Sequence, residues 1–427
     1  MKNLAGKKLL VLGSNYSTIN LIEIAHKHGV YVVVTSHLPG GQAREFADEN
    51  IFIDIEDHEQ IVAYIQKNGI DGVMTGASEH HILNMLQICK KAGLPVYATV
   101  EQWDLCQDKR HFKDLCKQYH VPGVPEYPVD CELKESDFPV IVKPIDGCSS
   151  RGINICRNSE ELKNAKQLAI EASPSKKILI ERYIDNGGLT LSIKYVAIDG
   201  QLYLEAIGER HVLNNGLITA NGYFPSLYLD NFMKNVDPYI KDMFKGIDFK
   251  NGVFSLQAIP DGDNIYIYEI CLRVTGGMTY KMTESTSGNN SLEMLLHFAL
   301  TGQMCDEEDI KTIDPNFRGM RASSLTMPLR TGKIAEVSGL NLLASIPNVV
   351  DVTHYYEVGD VIEPKHINTL DQLFARIMAI APNEDELYKT LQSVRNTISV
   401  KDADHKEMII WDTYDRLYQE YLKRKAI

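Results

Sequence analysis

Cys89, Cys106, Cys116, Cys131, Cys148, Cys156, Cys271 and Cys305 are scattered along the 427-residue chain and never form a C-x-x-C pair. That argues against a zinc ribbon and against a disulfide framework; free thiols in a reducing cytoplasm account for them. No apolar run approaches the length of a membrane-spanning helix. The opening MKNLAGKKLLVLGS has basic residues but only a short apolar run and no small-residue cleavage site. It reads as a first strand, not a signal peptide. Positive charge is scarce as well: 44 Lys and Arg stand against 57 Asp and Glu, a formal net charge of −13. A nucleic-acid partner would want a basic face and an anionic membrane a basic patch, so neither is expected. The acidity serves solubility. The fingerprint G-x-G-x-x-G is missing after the first strand, where Gly13 to Thr18 reads GSNYST, and no acid ends the second strand at Thr35-Ser36-His37. Both absences count against a dinucleotide-dependent oxidoreductase.

What is present is globular: 44% hydrophobic and 24% charged residues, in a chain long enough for two to four domains at roughly 100–200 residues each. The first hundred residues alternate between β-branched apolar runs and helical spacing. KKLLVLG, VYVVVTS, FADENIFIDI and IDGVMTG read as strands, with helices at Thr18 to Lys27, Glu59 to Asn68 and Glu79 to Ala92, and PVYA as a further strand. Repeated βα units imply a parallel sheet covered by helices, with ligands at the carboxyl ends of its strands. Ser78 N-caps the third helix, and that helix start, Ser78-Glu79, could hold a carboxylate or phosphate. His80 and His81 are adjacent and cannot share a helix face, so a metal pair is a poor reading.

From Gln102 the texture changes to a helix, a Pro-rich turn and sheet-rich sequence. The strands KKILIERYI, LSIKYVAIDGQLYLEAIGER and FSLQAIPDGDNIYIYEICLR carry ID-G and D-G-D turns, so the last two segments are antiparallel hairpins. Helices are expected at Ser159 to Glu171 and Ser291 to Thr301. Beyond Met320 short strands precede an expected helix around Leu370 to Ile380. The tail places Trp411, Tyr414, Leu417 and Tyr421 near helical spacing, as a docked terminal helix would.

Three stretches carry chemistry. In Phe138 to Gly152, FPVIVKPIDGCSSRG, a strand delivers Lys143 just before a loop whose Gly147 and Gly152 admit close approach. Ser149, Ser150 and Arg151 add donors, and a lysine beside such a loop suits a polyphosphate. It is not a Walker A loop, because the lysine precedes it. In KILIERYI, Glu181 lies where a strand could present backbone groups to a purine edge. In FSLQAIPDGDNIYIYEICLRVTGG, Gln257 and Glu269 sit on one hairpin and can converge on a magnesium ion, and Arg273 could hold an anionic substrate or an acyl phosphate. Arg210, Tyr280, Lys281, Arg321 and Arg330 are further candidate substrate contacts.

The ordered set Asp108-Lys109, Lys143-Pro144 with GCSSRG, Glu181-Arg182-Tyr183-Ile184, and Gln257 with Glu269-x3-Arg273 resembles the ATP-grasp superfamily. Within it the chain looks like the carboxylate–amine (amino-acid) ligases, with biotin carboxylase and the purine-pathway ligases as cousins. GKIAEVSGLNLLASIPNVVDVTHYYEVGDVI is similar to the C-terminal lobe of the amino-acid ligases. The resemblance implies a mixed α/β and α+β architecture in three parts. These are an N-terminal parallel βα domain over 1–104, an antiparallel-sheet ATP-grasp domain over 105–320 with a mobile lid at about 125–185, and a C-terminal lobe with terminal helix over 321–427. It implies ATP and Mg2+ (or Mn2+) as cofactors, small-molecule carboxylate and amine substrates, a cytoplasmic enzyme, and a homodimer as the assembly to test.

Roles carry over position by position. Lys109 and Lys143 would contact phosphates, and Ser149, Ser150 and Gly152 would belong to the lid. Glu181 with the backbone of Arg182 and Ile184 would take adenine. Glu269 and Gln257 would bind metal, and Glu269 and Arg273 would serve catalysis. Ser78, Glu79, Arg210, Lys281 and Arg330 would meet substrate. The implied reaction is ATP-dependent formation of an acyl phosphate and then an amide, with release of ADP and phosphate. Two alternatives are an ATP- or metabolite-binding module with little catalysis and a purine-biosynthesis-type ligase or carboxylase. The sequence departs from the family at three positions: Gln257 stands for Glu or Asp, Cys271 for Asn, and Thr190 for the Glu of G-x-E. A thiol is a poor ligand for a hard cation, so the metal site is expected to be altered.

Overall fold

The computed structural model describes residues 3–37, 40–146, 152–213 and 218–425. Ser149, Ser150 and Arg151 therefore lie outside the described residues, as does Gly147. No helix among those described is long and apolar enough to cross a membrane.

Alternating strands and helices open the chain: β1 Lys8–Leu12, α1 Ile19–Lys27, β2 Tyr31–Thr35, β3 Glu49–Ile51, α2 His58–Asn68, β4 Gly72–Thr75 and α3 Glu79–Ala92. The strands form a parallel sheet in the order β3-β2-β1-β4. Apolar β-branched residues fill β1 and β2 because helices cover both faces of the sheet. Strand order reverses between β1 and β4, and a crevice opens where it does. The loops after β1 and β4, with Asn15 and Tyr16 from one and Thr75, Gly76 and Ala77 from the other, line that crevice.

Next come α4 Val100–Gln107, α5 Lys109–Gln118, β5 Glu126–Tyr127, β6 Val140–Pro144, β7 Asn154–Cys156, α6 Ser159–Ala172 and β8 Ile178–Arg182. The strands make a small antiparallel sheet, β5-β8-β6-β7, with its own core of Val140, Val142, Leu162, Ala169 and Ile180 under α6. The chain then runs through β9 Leu189–Ile198, β10 Gln201–Val212, β11 Thr219–Phe224, α7 Leu229–Asn235, α8 Asp237–Gly246, β12 Gly252–Asp261, β13 Asn264–Cys271, α9 Thr279–Ser287, α10 Ser291–Thr301 and α11 Glu307–Ile310. It ends in β14 Arg321–Pro328, β15 Gly332–Lys333, β16 Glu336–Ser338, β17 Val349–His354, β18 Val361–Ile362, β19 Leu373–Ala381, α12 Glu384–Thr397, β20 Ser399–Lys401 and α13 Asp412–Lys425.

Eight strands join in one antiparallel sheet, β13-β12-β9-β10-β11-β14-β19-β17, so the sheet runs unbroken past residue 320 into the C-terminal segment. Both expected hairpins are present, at Asp199-Gly200 and Asp261-Gly262. The parallel sheet docks on this body through α10. A Cβ at Gly72 would lie 2.3 Å from the Ala299 carbonyl, so β4 and α10 meet with no side chain between them.

Two expected elements differ. PVYA forms no strand; Tyr97 turns inward and its hydroxyl donates to the Leu272 carbonyl at 2.9 Å. The segment from Leu373 is strand β19 and not a helix, because all nine of its residues are buried, on both faces of the sheet. The helix of this region is α12, whose N-cap Asn383 accepts from the Glu386 amide. The terminal helix docks as expected, with Trp411, Tyr414, Leu417 and Tyr421 buried.

Candidate active site

The small sheet meets the β12/β13 edge of the large sheet, where Arg182 pairs with Asp261 and Lys143 lies over the Tyr268 ring. Lys143 is the fourth residue of β6, in a strand that alternates buried and half-buried side chains. Its Nζ lies 2.7 Å from Glu181 Oε2 and 5.6 Å above the Tyr268 ring of β13. Lys113 of α5, one helical turn beyond Lys109, grips Glu181 Oε1. Glu181 is 2% exposed. Burial raises its pKa, but Lys143 and Lys113 outweigh that and hold it below the ordinary carboxylate value. A buried carboxylate between two lysines is stable only as a set; removing one partner costs about 3–5 kcal/mol.

Lys109 Nζ reaches the Pro144 carbonyl at 3.5 Å, which brings it to the same end of β6 as Lys143. Gly152 returns the chain from the loop in a left-handed conformation (φ +73), where a Cβ would lie 2.6 Å from Ala172 Cβ and 3.0 Å from Pro144 Cγ. Only glycine passes α6 at this point without displacing either neighbour. Arg182 points elsewhere. Its Nη2 pairs with Asp261 at 2.5 Å, and its amide donates to the Pro125 carbonyl at 2.9 Å, so that amide is engaged. The Tyr183 amide is bonded to the Pro139 carbonyl, whereas Ile184 N–H has no hydrogen-bond partner among the described residues.

On the large sheet, strand register sets the other side of the site. Ser192 of β9, Gln257 of β12 and Glu269 of β13 form one row; Lys194, Ser255 and Cys271 form another. Gln257 Nε2 donates to Glu269 Oε2 at 2.6 Å, while its oxygen accepts from Tyr268 Oη at 2.7 Å and Arg210 Nη1 at 2.6 Å. As placed, Gln257 offers Glu269 a donor and not a second oxygen. Burial pushes the Cys271 thiol up to about 11, so it is neutral at pH 7 and no ligand for magnesium. The donor set fits one hard cation at Glu269, with the Gln257 oxygen available on rotation of its amide, and does not fit a second at Cys271. Lys194 is fully buried; burial, aided by Arg210, pulls its ammonium down to about 7, and its Nζ donates to Thr275 Oγ1 at 2.9 Å.

Arg273 faces the cavity of about 750 Å³ that continues from the crevice. Its Nη2 meets Glu79 Oε1 at 3.4 Å, which places the start of α3 beside Arg273. Ser78 accepts the His81 amide at 3.5 Å, the N-cap role. Two expected contacts lie apart from this group. Lys281 pairs with Asp351 at 2.7 Å between α9 and β17, and Arg330 is exposed beside β15 with its amide on the Met408 carbonyl. Neither lines the cavity. Sequence reasoning missed Lys113, Lys194, Tyr268 and Arg376. Lys113 carried a signal, its helical spacing from Lys109, but the others depend on which strands become neighbours.

A family model described as the D-ala D-ala ligase C-terminus matches residues 89–212. Solved structures extend the likeness over the chain. L-amino acid ligase from Bacillus licheniformis superposes with a TM-score of 0.75 at 18% identity, covering 93% of this chain and 99% of that one. Phosphoribosylglycinamide synthetase from Anaerococcus prevotii gives 0.73 at 19%, with coverage of 93% and 99%. The biotin carboxylase domain of 2-oxoglutarate carboxylase from Hydrogenobacter thermophilus, in complex with MgADP and bicarbonate, gives 0.72 at 19%, with 95% and 91%. The chain has the ATP-grasp fold. Within that fold it resembles the amino-acid ligases, the biotin carboxylases and the purine-pathway ligases.

Proposed function

We propose that the protein is an ATP-dependent carboxylate–amine ligase that forms an acyl phosphate, then an amide, with ADP and phosphate as by-products. The observation that supports this reading is that Lys109, Lys143 and Glu181 meet, at the Tyr268 ring, the edge of the large sheet where Arg210, Gln257 and Glu269 are bonded together. Cations on both sides suit a triphosphate, and the fold is shared with a protein solved with MgADP. Lys109 and Lys143 hold the phosphates as point charges. Glu181, free of one lysine once phosphates draw it away, accepts the adenine amino group, and Ile184 N–H donates to the ring. Glu269, with the Gln257 oxygen once its amide rotates, would hold a magnesium ion, which would supply charge that offsets the phosphoryl group in transfer. Residues 125–185 act as the lid, and its closure keeps water from the acyl phosphate.

In the first step a substrate carboxylate oxygen bonds to the γ-phosphorus as the bridging bond to ADP breaks. In the second, an amine nitrogen bonds to the acyl carbon, phosphate leaves with the C–O electron pair, and the amine proton passes to solvent. Arg273 steadies charge on the acyl group in both. The test is ADP release with magnesium across amino acids and other carboxylates paired with amines. No ADP with any pair, together with calorimetric ATP binding, would sink the ligase reading.

A second reading, an ATP-binding module with little catalysis, draws support from the neutral thiol at Cys271 and the amide at Gln257. The same assay separates the two. A purine-type ligase or carboxylase shares the fold; release of ADP only with bicarbonate or a sugar-phosphate amine would favour it.

A further inference from the structure

Arg376 is a buried charge in the middle of the large sheet's C-terminal part. It sits in β19 between Thr326 of β14 and Thr353 of β17 and is 8% exposed. Its Nη1 donates to the Gly276 carbonyl, and its Nε is buried with no hydrogen-bond partner. Among the described residues it forms no ion pair. Asp351, on the same strand as Thr353, is already held by Lys281 at 2.7 Å. Removing a guanidinium from water without a counter-charge is costly, and a fork with an unused donor is built for a carboxylate.

That guanidinium lines the same cavity of about 750 Å³ as Arg273. The two are tied together, since Gly276, whose carbonyl Arg376 holds, lies three residues after Arg273. The carboxylates on this wall, Glu357 and Asp371, are exposed, and Glu357 is engaged by His354 at 2.9 Å. Beyond these charged groups the lining is mixed: Met74, Ile82, Met85, Leu295 and Phe298 form an apolar part, and Asn20, Gln42, Thr75, Tyr280 and Tyr355 a polar one. The volume is that of a small-molecule site.

We propose that Arg376 binds a second, unreacting carboxylate, the α-carboxylate of an amino acid that serves as the amine substrate, with an apolar side chain in the cavity. This rests on the ligase reading for what happens at Arg273, but the binding itself does not. An amine without a carboxylate would bring a positive charge to a chamber that already holds two guanidinium groups. An amino acid cancels one of them and leaves its amino group beside the other, where the acyl group is held.

The experiment is calorimetry on the full chain with magnesium and a non-hydrolysable ATP analogue, titrated with L-leucine, L-methionine, L-phenylalanine and the carboxamide of each. Loss of a charged partner for a buried guanidinium predicts at least one amino acid binding about 30-fold more tightly than its carboxamide, and Arg376→Met erasing that preference. Arg376→Lys keeps charge without the fork and retains part of it; this variant decides the matter if Arg376→Met does not fold. Equal binding of acid and carboxamide, no binding of the panel, or an unchanged preference in a folded variant overturns the proposal. ADP release measured in parallel keeps the two readings apart. Arg376-dependent binding without ADP release defeats the ligase and supports this site. ADP release with simple amines, indifferent to Arg376→Met, supports the ligase and defeats this site.

Discussion

At the scale of single residues, Lys194 shows what burial does to a charge. It shares a row with Ser255 and Cys271, next to the row that ends in Glu269. With an ordinary lysine value near 10.4 in the unfolded chain and about 7 in the folded one, the unfolded chain binds the extra proton between those values. Stability from this group therefore rises with pH between about 7 and 10, and the full penalty of burying the ammonium is felt below 7. Lys194→Met should melt roughly 1–3 °C above the wild type at pH 6, taking about 1–3 kcal/mol and, from an unfolding entropy of about 2.1 cal/mol/K per residue, roughly 1 °C per kcal/mol for a chain this long. The gap should narrow by pH 9.5. A constant gap across that range would show that Lys194 does not titrate as its burial implies.

Cys271 lies on the same row and leads to a second prediction. If Glu269 holds the metal as proposed, the neutral thiol would leave it with one cation site. Cys271→Asn puts a hard oxygen in its place, so the variant bound to an ATP analogue should hold a second manganese ion, counted by electron paramagnetic resonance, and should keep its activity. Unaltered metal stoichiometry would mean that Lys194, not the thiol, excludes the second ion. Lys143→Met should weaken ATP about 10–100-fold, the loss of one charge-assisted contact, with calorimetry as the measure. An unchanged affinity would place the phosphates elsewhere.

At the scale of elements, most of the architecture was legible because local patterns and tertiary surroundings agree. The βα units, the two hairpins and α10 follow from periodicity and turn chemistry alone. The failures have a common physical origin. LFARIMAIA in β19 is apolar on every face, and periodicity cannot tell a doubly covered strand from a buried helix. Its β-branched content is low, so length and composition pointed the wrong way. The adjoining α12 carries the helix signals, Asn383 as cap and three acids in the first turn, at the expected position for a helix start. Mistaking β19 also hid Arg376, since a strand in the middle of a sheet aims it at a cavity where a helix would not. Lys113, Glu181 and Lys143 show the reverse case: motif order brought two of them into view, but only strand pairing shows that the carboxylate is clamped.

Gly152 belongs at this scale too, because it leads into β7 while passing close against α6 and the end of β6. Its φ of +73 and the 2.6 Å approach to Ala172 leave no room for a side chain. Gly152→Val should cost about 1–3 kcal/mol in overpacking and should weaken ATP because Pro144, beside Lys143, must shift. Calorimetry with ATP and a melting curve measure both; intact affinity in a destabilised variant would separate the loop's anchor from phosphate binding.

For the whole molecule, what matters is how the small sheet is held to the rest. Among the described residues the cross-links are mainly polar, and α5, whose Phe112, Leu115 and Cys116 pack in the larger core, carries several: Arg110 to Glu126 and Lys113 to Glu126 and Glu181. Gly123 bridges Ile267, the Ile267 amide donates to the Pro122 carbonyl at 2.7 Å, Arg182 pairs with Asp261, and Lys143 lies over Tyr268. Its apolar core under α6 is separate from the cores of the rest of the chain. A unit with its own core and a mainly polar attachment is the kind expected to shift as a body when charges at its edge find new partners. Nothing in the sequence announced that polar attachment, because it is a property of which residues meet between units. Phosphates would give Lys109 and Lys143 on one side, and Arg210 and Arg273 on the other, a common partner. Magnesium with an ATP analogue should therefore slow amide hydrogen exchange across β6, β8 and β13 together, and lower the radius of gyration in solution scattering. Asp261→Ala, which removes the Arg182 tether, should speed exchange in β8 before nucleotide is added and leave the nucleotide-bound rates nearly unchanged. Protection confined to β13, with the small sheet indifferent to nucleotide, would show that the site binds ATP without closing and would remove the lid from the proposed mechanism.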